Sequence, residues 1–235
     1  MTDSTTTAAW WTLVALVASL AISATSAGAA PLRVPATQEL VTPRTPHRAY
    51  ARPAAGSRLL GIVPVVTPIT GERTTLPLLA RRGGWIEVRL PGRPNGHTGW
   101  IRRVATLESF TEWHVVVRLS TTTVTLYHAG RALRSFPAVV GKPSTPTPEG
   151  AFFVEESVAL PSYDPGAPYA FALSARSNVL QEFAGGPGQI AIHGVANIGG
   201  TPGTAVSHGC VRLTAGAIRW LAARIGPGVP VTIER

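Results

Sequence analysis

The chain has 235 residues, 45% of them hydrophobic and only 14% charged, with 24 Gly, 21 Pro and a single Cys. The apolar content excludes a disordered tail protein, and one thiol excludes both an intrachain disulfide framework and an all-thiolate zinc site. The formal charge of +9 is carried by scattered Arg without a run of five like charges, a basic surface that suits an anionic envelope polymer as well as a nucleic acid.

Trp10 to Ile22 is an apolar stretch too short to span a membrane as a helix, which needs ~20 residues. Ala27-Gly28-Ala29 follows and fits a small-residue cleavage site. Residues 1–29 are therefore expected to be a signal peptide and the protein to be exported to the cell envelope. The membrane would be met only through this segment before cleavage. The segment departs from the usual pattern in carrying no Lys or Arg, only Asp3. Residues 30–56, rich in Pro, Thr, Ala and Arg, are expected to form a semi-extended linker.

Residues 57–108 alternate short apolar runs with turn signals. Leu59–Val63, Thr75–Leu79, Gly84–Leu90 and Gly99–Arg102 read as strands, and Pro91-Gly92-Arg93-Pro94-Asn95-Gly96 as turn chemistry. So short a segment suits a five-stranded mini-barrel. The repeated Gly-Trp-Ile of Gly84-Trp85-Ile86 and Gly99-Trp100-Ile101 resembles bacterial SH3-like modules, which accompany cell-wall enzymes. This module is expected to fold separately and to lend no catalytic atom.

From Trp113 a second β module begins. Val115–Leu119 and Thr123–Tyr127 read as strands joined to a hairpin loop at His128–Arg131. Gly150–Val154 and Gly188–Ile192 follow as strands. Residues 157–187, between them, read as a long irregular lid, since connections beyond ~12–15 residues are uncommon unless functional. Ile218, Leu221, Ala222 and Ile225 keep helical spacing behind Thr214, an N-cap residue. Val229–Ile233 is expected to close the chain as an edge strand, where Pro230 is tolerated.

The chemistry-bearing residues gather late. A strand ends in Ile192-His193-Gly194, and the single Cys lies in Ser207-His208-Gly209-Cys210-Val211-Arg212-Leu213. A thiolate is the nucleophilic form of Cys, and a neighbouring imidazole raises its fraction or takes its proton during attack. Backbone N–H groups around Cys210 suit an oxyanion. Spacing alone also allows an inert buried Cys with two hydrogen-bonded His, or a metal site at His208 and Cys210, although a fourth ligand is missing. A papain-like peptidase places Cys before His, the reverse of the order here. A nucleic-acid binder needs aromatics interleaved with a basic stripe, a pattern this chain lacks.

Ile-His-Gly followed by Ser-His-Gly-Cys-Val-Arg-Leu resembles the signature of the L,D-transpeptidase catalytic domain of the YkuD type. The resemblance covers about residues 113–235 and takes in Gly141-Lys142-Pro143, Thr145-Pro146-Thr147-Pro148, Gly150, Phe152 and Gly185–Gly188. It implies a mainly β protein: an L,D-transpeptidase β-sandwich over residues 111–235 with one or two short helices, behind the small SH3-like barrel. It implies Cys210 as nucleophile, His193 as proton acceptor and the Gly194 carbonyl as the group orienting that imidazole. His208, Gly209 and Cys210 would offer backbone N–H donors. Ser207 and Arg212 would either support the catalytic residues from behind or orient substrate, and a lid tyrosine, Tyr169 or Tyr163, would reach the site. Val195 stands where many relatives have Thr or Ser. The implied partners are peptidoglycan stem peptides, with no cofactor, no metal and no nucleic acid, and the protein is expected to be a monomer. The alternative is a non-catalytic cell-wall-binding protein.

Overall fold

A computed structural model of the protein describes residues 1–2, 33–183 and 185–235. The expected signal segment, beyond its first two residues, lies outside the described residues. The first β module comprises β1 (Gln38–Pro43), β2 (His47–Tyr50), β3 (Leu59–Val63), β4 (Leu76–Arg82), β5 (Trp85–Arg89), β6 (Thr98–Arg102) and β7 (Thr106–Thr111). They form one seven-stranded sheet in the order β3-β2-β6-β5-β4-β1-β7. The linker expected over residues 30–56 is thus corrected: β1 and β2 belong to this sheet. Val41 and Ala49 are buried in its core, and β1 pairs with both β4 and β7. Two short strands, of six and four residues, are too brief to show a period against their Pro-rich flanks.

The second module comprises β8 (Trp113–Arg118), β9 (Thr123–His128), β10 (Arg131–Pro137), β11 (Val140–Gly141), β12 (Gly150–Ala159), β13 (Tyr169–Arg176), β14 (Gln189–Gly194), β15 (Ala205–Ser207), β16 (Val211–Leu213), α1 (Ala215–Ala222) and β17 (Pro230–Glu234). Eight of these strands form a sheet in the order β10-β9-β8-β17-β12-β13-β14-β16, and β11 pairs with β15. α1 starts as its sequence dictates, with the Thr214 hydroxyl accepting from the Ala217 N–H. It buries Ala217, Ile218 and Leu221 in the core formed with Phe171, Ile192, Val211 and Leu213.

Two expectations change here. β17 is not an edge strand; it lies between β8 and β12. Pro230 is accommodated because it is the first residue of the strand, where a missing N–H costs little. The stretch 157–187 is not one lid, because β13 runs through it and pairs with both β12 and β14. Its small alanines and flanking prolines hide the strand in the sequence. Among the described residues of this stretch, 160–168, 177–183 and 185–188 remain irregular.

The modules do not fold apart. Residues Arg33–Arg235 make one compact unit, and β12 is the shared wall. Successive strand residues face opposite sides: Phe152 and Val154 enter the second module's core, whereas Phe153 enters the first. A register shift follows between Val154 and Glu156, which re-aims the strand. The fully buried Glu156 then takes hydrogen bonds on Oε2 from the Ile69 N–H (3.0 Å), the Thr70 N–H (2.8 Å) and the Thr70 hydroxyl (3.0 Å).

Phe153→Ala removes a buried ring from the first core and is expected to cost about 3–5 kcal/mol. Because that ring is carried by β12, urea unfolding followed by far-UV circular dichroism and by tryptophan fluorescence should shift as one transition. Two separated transitions would show that the modules fold independently.

Candidate active site

β14 and β16 pair in parallel, with Ile192 opposite Val211 and His193 opposite Arg212. This register brings Cys210, the residue before β16, beside Ala191 and into one cleft with His193. His193, His208, Cys210, Arg212, Ile190 and Phe183 are among the walls of this cleft.

His193 is held from two sides. Its Nδ1 lies 2.7 Å from the Gly194 carbonyl oxygen. A carbonyl only accepts, so Nδ1 carries the proton and Nε2 keeps a free lone pair. Gly166 presses on the ring: a Cβ there would come within 2.7 Å of Nδ1, and its φ is +90°. The Gly166 carbonyl in turn accepts from the Gly194 N–H at 2.8 Å. Burial pushes the imidazole below its ordinary value, opposed by the Gly194 carbonyl, with Arg212 adding to the depression. Burial likewise pushes the Cys210 thiol up, opposed by the Ala191 amide and by Arg212. Both shifts favour the uncharged forms, thiol and neutral imidazole.

The loop bearing Cys210 is fixed through its carbonyls. The Ser207 carbonyl accepts from the Thr145 hydroxyl (3.1 Å) and the Lys142 N–H (3.0 Å). The Gly209 carbonyl accepts from the Thr147 hydroxyl at 2.8 Å, and that hydroxyl accepts from the Gly141 N–H at 2.9 Å. The Ser207 hydroxyl donates to the Cys210 carbonyl at 2.6 Å and accepts from the Gly209 N–H at 3.1 Å. In a trans planar peptide the C=O of one residue and the N–H of the next point in opposite directions. Pinning the Ser207 and Gly209 carbonyls on the Thr145–Thr147 side therefore turns the His208 and Cys210 N–H groups away from it. Gly209 permits the turn, with φ of +118°, a conformation that L side chains rarely adopt.

Against the residues named from sequence, the structure brings Cys210, His193, Gly194, His208 and Arg212 together. Arg212 has its Nη1 bonded to the Ile198 and Gly199 carbonyls and its Nε buried without a partner among the described residues. Three placements are corrected. Ser207 is fully buried and spends its hydroxyl inside the loop, so it does not reach substrate. The Gly209 N–H is engaged by that hydroxyl and is not an oxyanion donor. Tyr169 opens β13 and packs on the apolar core, outside the cleft lining, while Tyr163 is exposed. Val195 contributes only its backbone, donating to the Leu213 carbonyl at 2.9 Å. Sequence reasoning missed Thr145, Thr147 and Gly166. The signals were present in the doubled Thr-Pro and in Pro165-Gly166, but neither shows which loop it will meet.

Comparison with known proteins places this geometry. The model of the YkuD L,D-transpeptidase catalytic domain matches residues 112–233. L,D-transpeptidase 1 of Mycobacterium tuberculosis is 27% identical over 258 residues, covering 94% of this chain and 96% of that protein. The putative L,D-transpeptidase YkuD of Bacillus subtilis is 32% identical over 124 residues, covering 52% of this chain and 66% of that protein. Among solved structures, an L,D-transpeptidase from Mycobacterium smegmatis is 22% identical with a TM-score of 0.41, covering 81% of this chain and all of that one. With its thiol, imidazole and carbonyl-pinned loop all inside the matched span, the chain belongs to the YkuD family of L,D-transpeptidases.

Proposed function

We propose that the protein forms 3→3 cross-links in peptidoglycan through a Cys210 thioester. The observation that carries this reading is the placing of the chain's single thiol in one cleft with an imidazole whose Nδ1 is bound to the Gly194 carbonyl. As a tetrapeptide stem enters the cleft, the thiol proton passes to His193 Nε2. The sulfur then attacks the carbonyl of the third residue, a diamino acid. The Gly209 amide is engaged elsewhere, which leaves the His208 and Cys210 amides to hold the oxyanion. The tetrahedral intermediate collapses, the bond to D-Ala breaks, and the departing amine takes the proton from His193. A side-chain amine of a second stem then gives a proton to His193 and attacks the thioester, and the thiol is regenerated. Water in place of that amine trims D-Ala without cross-linking.

In this reading Cys210, His193 and Gly194 are catalytic. His208 lends its amide and a wall, Arg212 faces substrate, and Ser207 positions the loop. The fold is an L,D-transpeptidase β-sandwich behind an SH3-like module, now enlarged by β1 and β2. The module's +7 over residues 31–112 suits an anionic wall, and the protein acts outside the cytoplasm as a monomer after its first 29 residues are removed.

Intact-mass spectrometry after incubation with a carbapenem tests the nucleophile. Cys210→Ala should abolish the adduct. His193→Ala should slow acylation by roughly 10²–10⁴-fold. His208→Ala keeps the backbone donor and should cost less. Equal losses at the two histidines in chelator-treated buffer would point to a metal site instead.

The direction of the two pKa shifts sets the pH profile. An imidazole held below 6.5 stays a free base down to pH values under 6.5, so acylation should fall only on that acid side. Alkylation of Cys210 by iodoacetamide should rise only toward pH 9 and above, because the thiol is held high. Rapid alkylation at pH 6 would mean that the pair rests as an ion pair.

Thr147→Val keeps the shape and removes the hydroxyl. It frees the Gly209 carbonyl and should lower carbapenem acylation by about 10–100-fold, less than deletion of one oxyanion donor. Stability should fall by about 1–3 kcal/mol. Iodoacetamide alkylation, which needs no oxyanion, should change little. A parallel fall in both rates would show that the loop has collapsed rather than turned.

A further inference from the structure

The turn between β5 and β6 belongs to the first module, yet its polar groups reach the second. The Gly92 N–H donates to the Ser174 carbonyl at 3.1 Å. Asn95 pairs with Arg176 twice, accepting from its N–H at 2.8 Å and donating to its carbonyl at 2.7 Å. Arg93 goes further along the chain. Its Nη2 donates to the Ser177 (2.8 Å) and Leu180 (3.2 Å) carbonyls, and its Nη1 to the Pro187 carbonyl (2.9 Å).

These acceptors are not scattered. Ser177 and Leu180 lie on the limb that leaves β13, and Pro187 lies on the limb that returns to β14. The neck is closed by the Ser177 N–H on the Gly188 carbonyl at 2.7 Å. Beyond the neck, the loop folds back where Phe183 and Gly186 exchange backbone hydrogen bonds at 2.9 and 3.0 Å. Ser177, Leu180, Phe183 and Gly188 form one wall of the Cys210 cleft. The Phe183 ring lies against the His208 ring with centroids 5.3 Å apart.

A planar guanidinium presents several donors in a fixed fork, and three carbonyls of one loop accept from it here. Among the described residues Arg93 has no carboxylate partner, so its bonds are spent on the loop. We propose that Arg93, braced by Asn95, is a positioning residue that the first module supplies to the active site: it fixes the wall bearing Leu180 and Phe183, and through that wall the seating of the donor stem. This rests on the transpeptidase reading for the substrate, but not for the brace. It leaves the expectation that the first module lends no catalytic atom untouched, since Arg93 acts through the loop.

The test compares the full chain with Arg93→Ala and Arg93→Lys. Hydrogen–deuterium exchange reads the brace without any turnover. Arg93→Ala should speed exchange of the Leu180 and Phe183 amides at least tenfold and leave β12 and β17 protected. With a tetrapeptide stem as donor, KM should rise about tenfold or more with kcat changed less, because the wall seats substrate and does not move protons. Arg93→Lys, one point donor facing three carbonyls, should recover part of the loss. Iodoacetamide alkylation of Cys210 should be unaffected. Unchanged exchange in Arg93→Ala overturns the brace. Faster exchange with unchanged KM overturns the link to substrate. Absence of turnover in the parent chain would sink the transpeptidase reading while the exchange result still decides the brace.

Discussion

The site depends first on where three carbonyl groups go. Thr145, Thr147 and Ser207 donate hydroxyl protons to the carbonyls of Ser207, Gly209 and Cys210. Each bond alone contributes only about 1 kcal/mol net. Their value lies in direction, because a planar peptide cannot turn its carbonyl one way without turning the next amide the other. The two amides that flank Gly209 are therefore oriented before any substrate arrives, and a preorganised donor needs no rearrangement when charge develops. The Thr-Pro-Thr-Pro segment lies some 60 residues from Cys210, and this orientation is its use.

The second constraint is the sharing of β12. A strand has two faces, and here each is buried against a different module, with Phe152 on one side and Phe153 on the other. This explains why the turn between β5 and β6 lies against the loop that walls the cleft. The first module is held at a fixed place by an apolar side chain and by the hydrogen bonds to Glu156. A surface turn can then aim Arg93 with a precision that a flexible tether would not give.

Strand identity was legible wherever β-branched runs met turn residues, as in β3, β5, β8 and β9. It was illegible where small residues or prolines broke the pattern. β13 reads as YAFALSAR just behind Pro161, Pro165 and Pro168, and nothing local shows that it fills the gap between β12 and β14. β17 was found, but its place inside the sheet depends on long-range pairing with β8 and β12, which no periodicity reports. At the site, the meeting of Cys210, His193 and Gly194 was legible because all three fall in the two short runs of sequence that carry the family resemblance. Gly166 and Arg93 were not, because each acts on a partner that only the fold brings near. For Ser207 the sequence left two roles open, supporting the loop or orienting substrate, and the fold decides for the first: its hydroxyl closes the loop on itself.

The burial that raises the thiol and lowers the imidazole looks at first like an obstacle to nucleophilic catalysis. It is better understood as a condition on when the nucleophile exists. A standing thiolate reacts with oxidants and electrophiles that reach it, and a chain with one thiol has no second to replace it. Where both partners are shifted toward their neutral forms, proton transfer to His193 needs something to stabilise the resulting negative charge. In the proposed mechanism the substrate carbonyl provides that destination: as sulfur attacks, the charge moves onto an oxygen facing two preset amides. On that mechanism the proton leaves because the oxyanion is held, so the carbonyl-pinned loop governs the reactivity of Cys210 as well as the geometry of its attack.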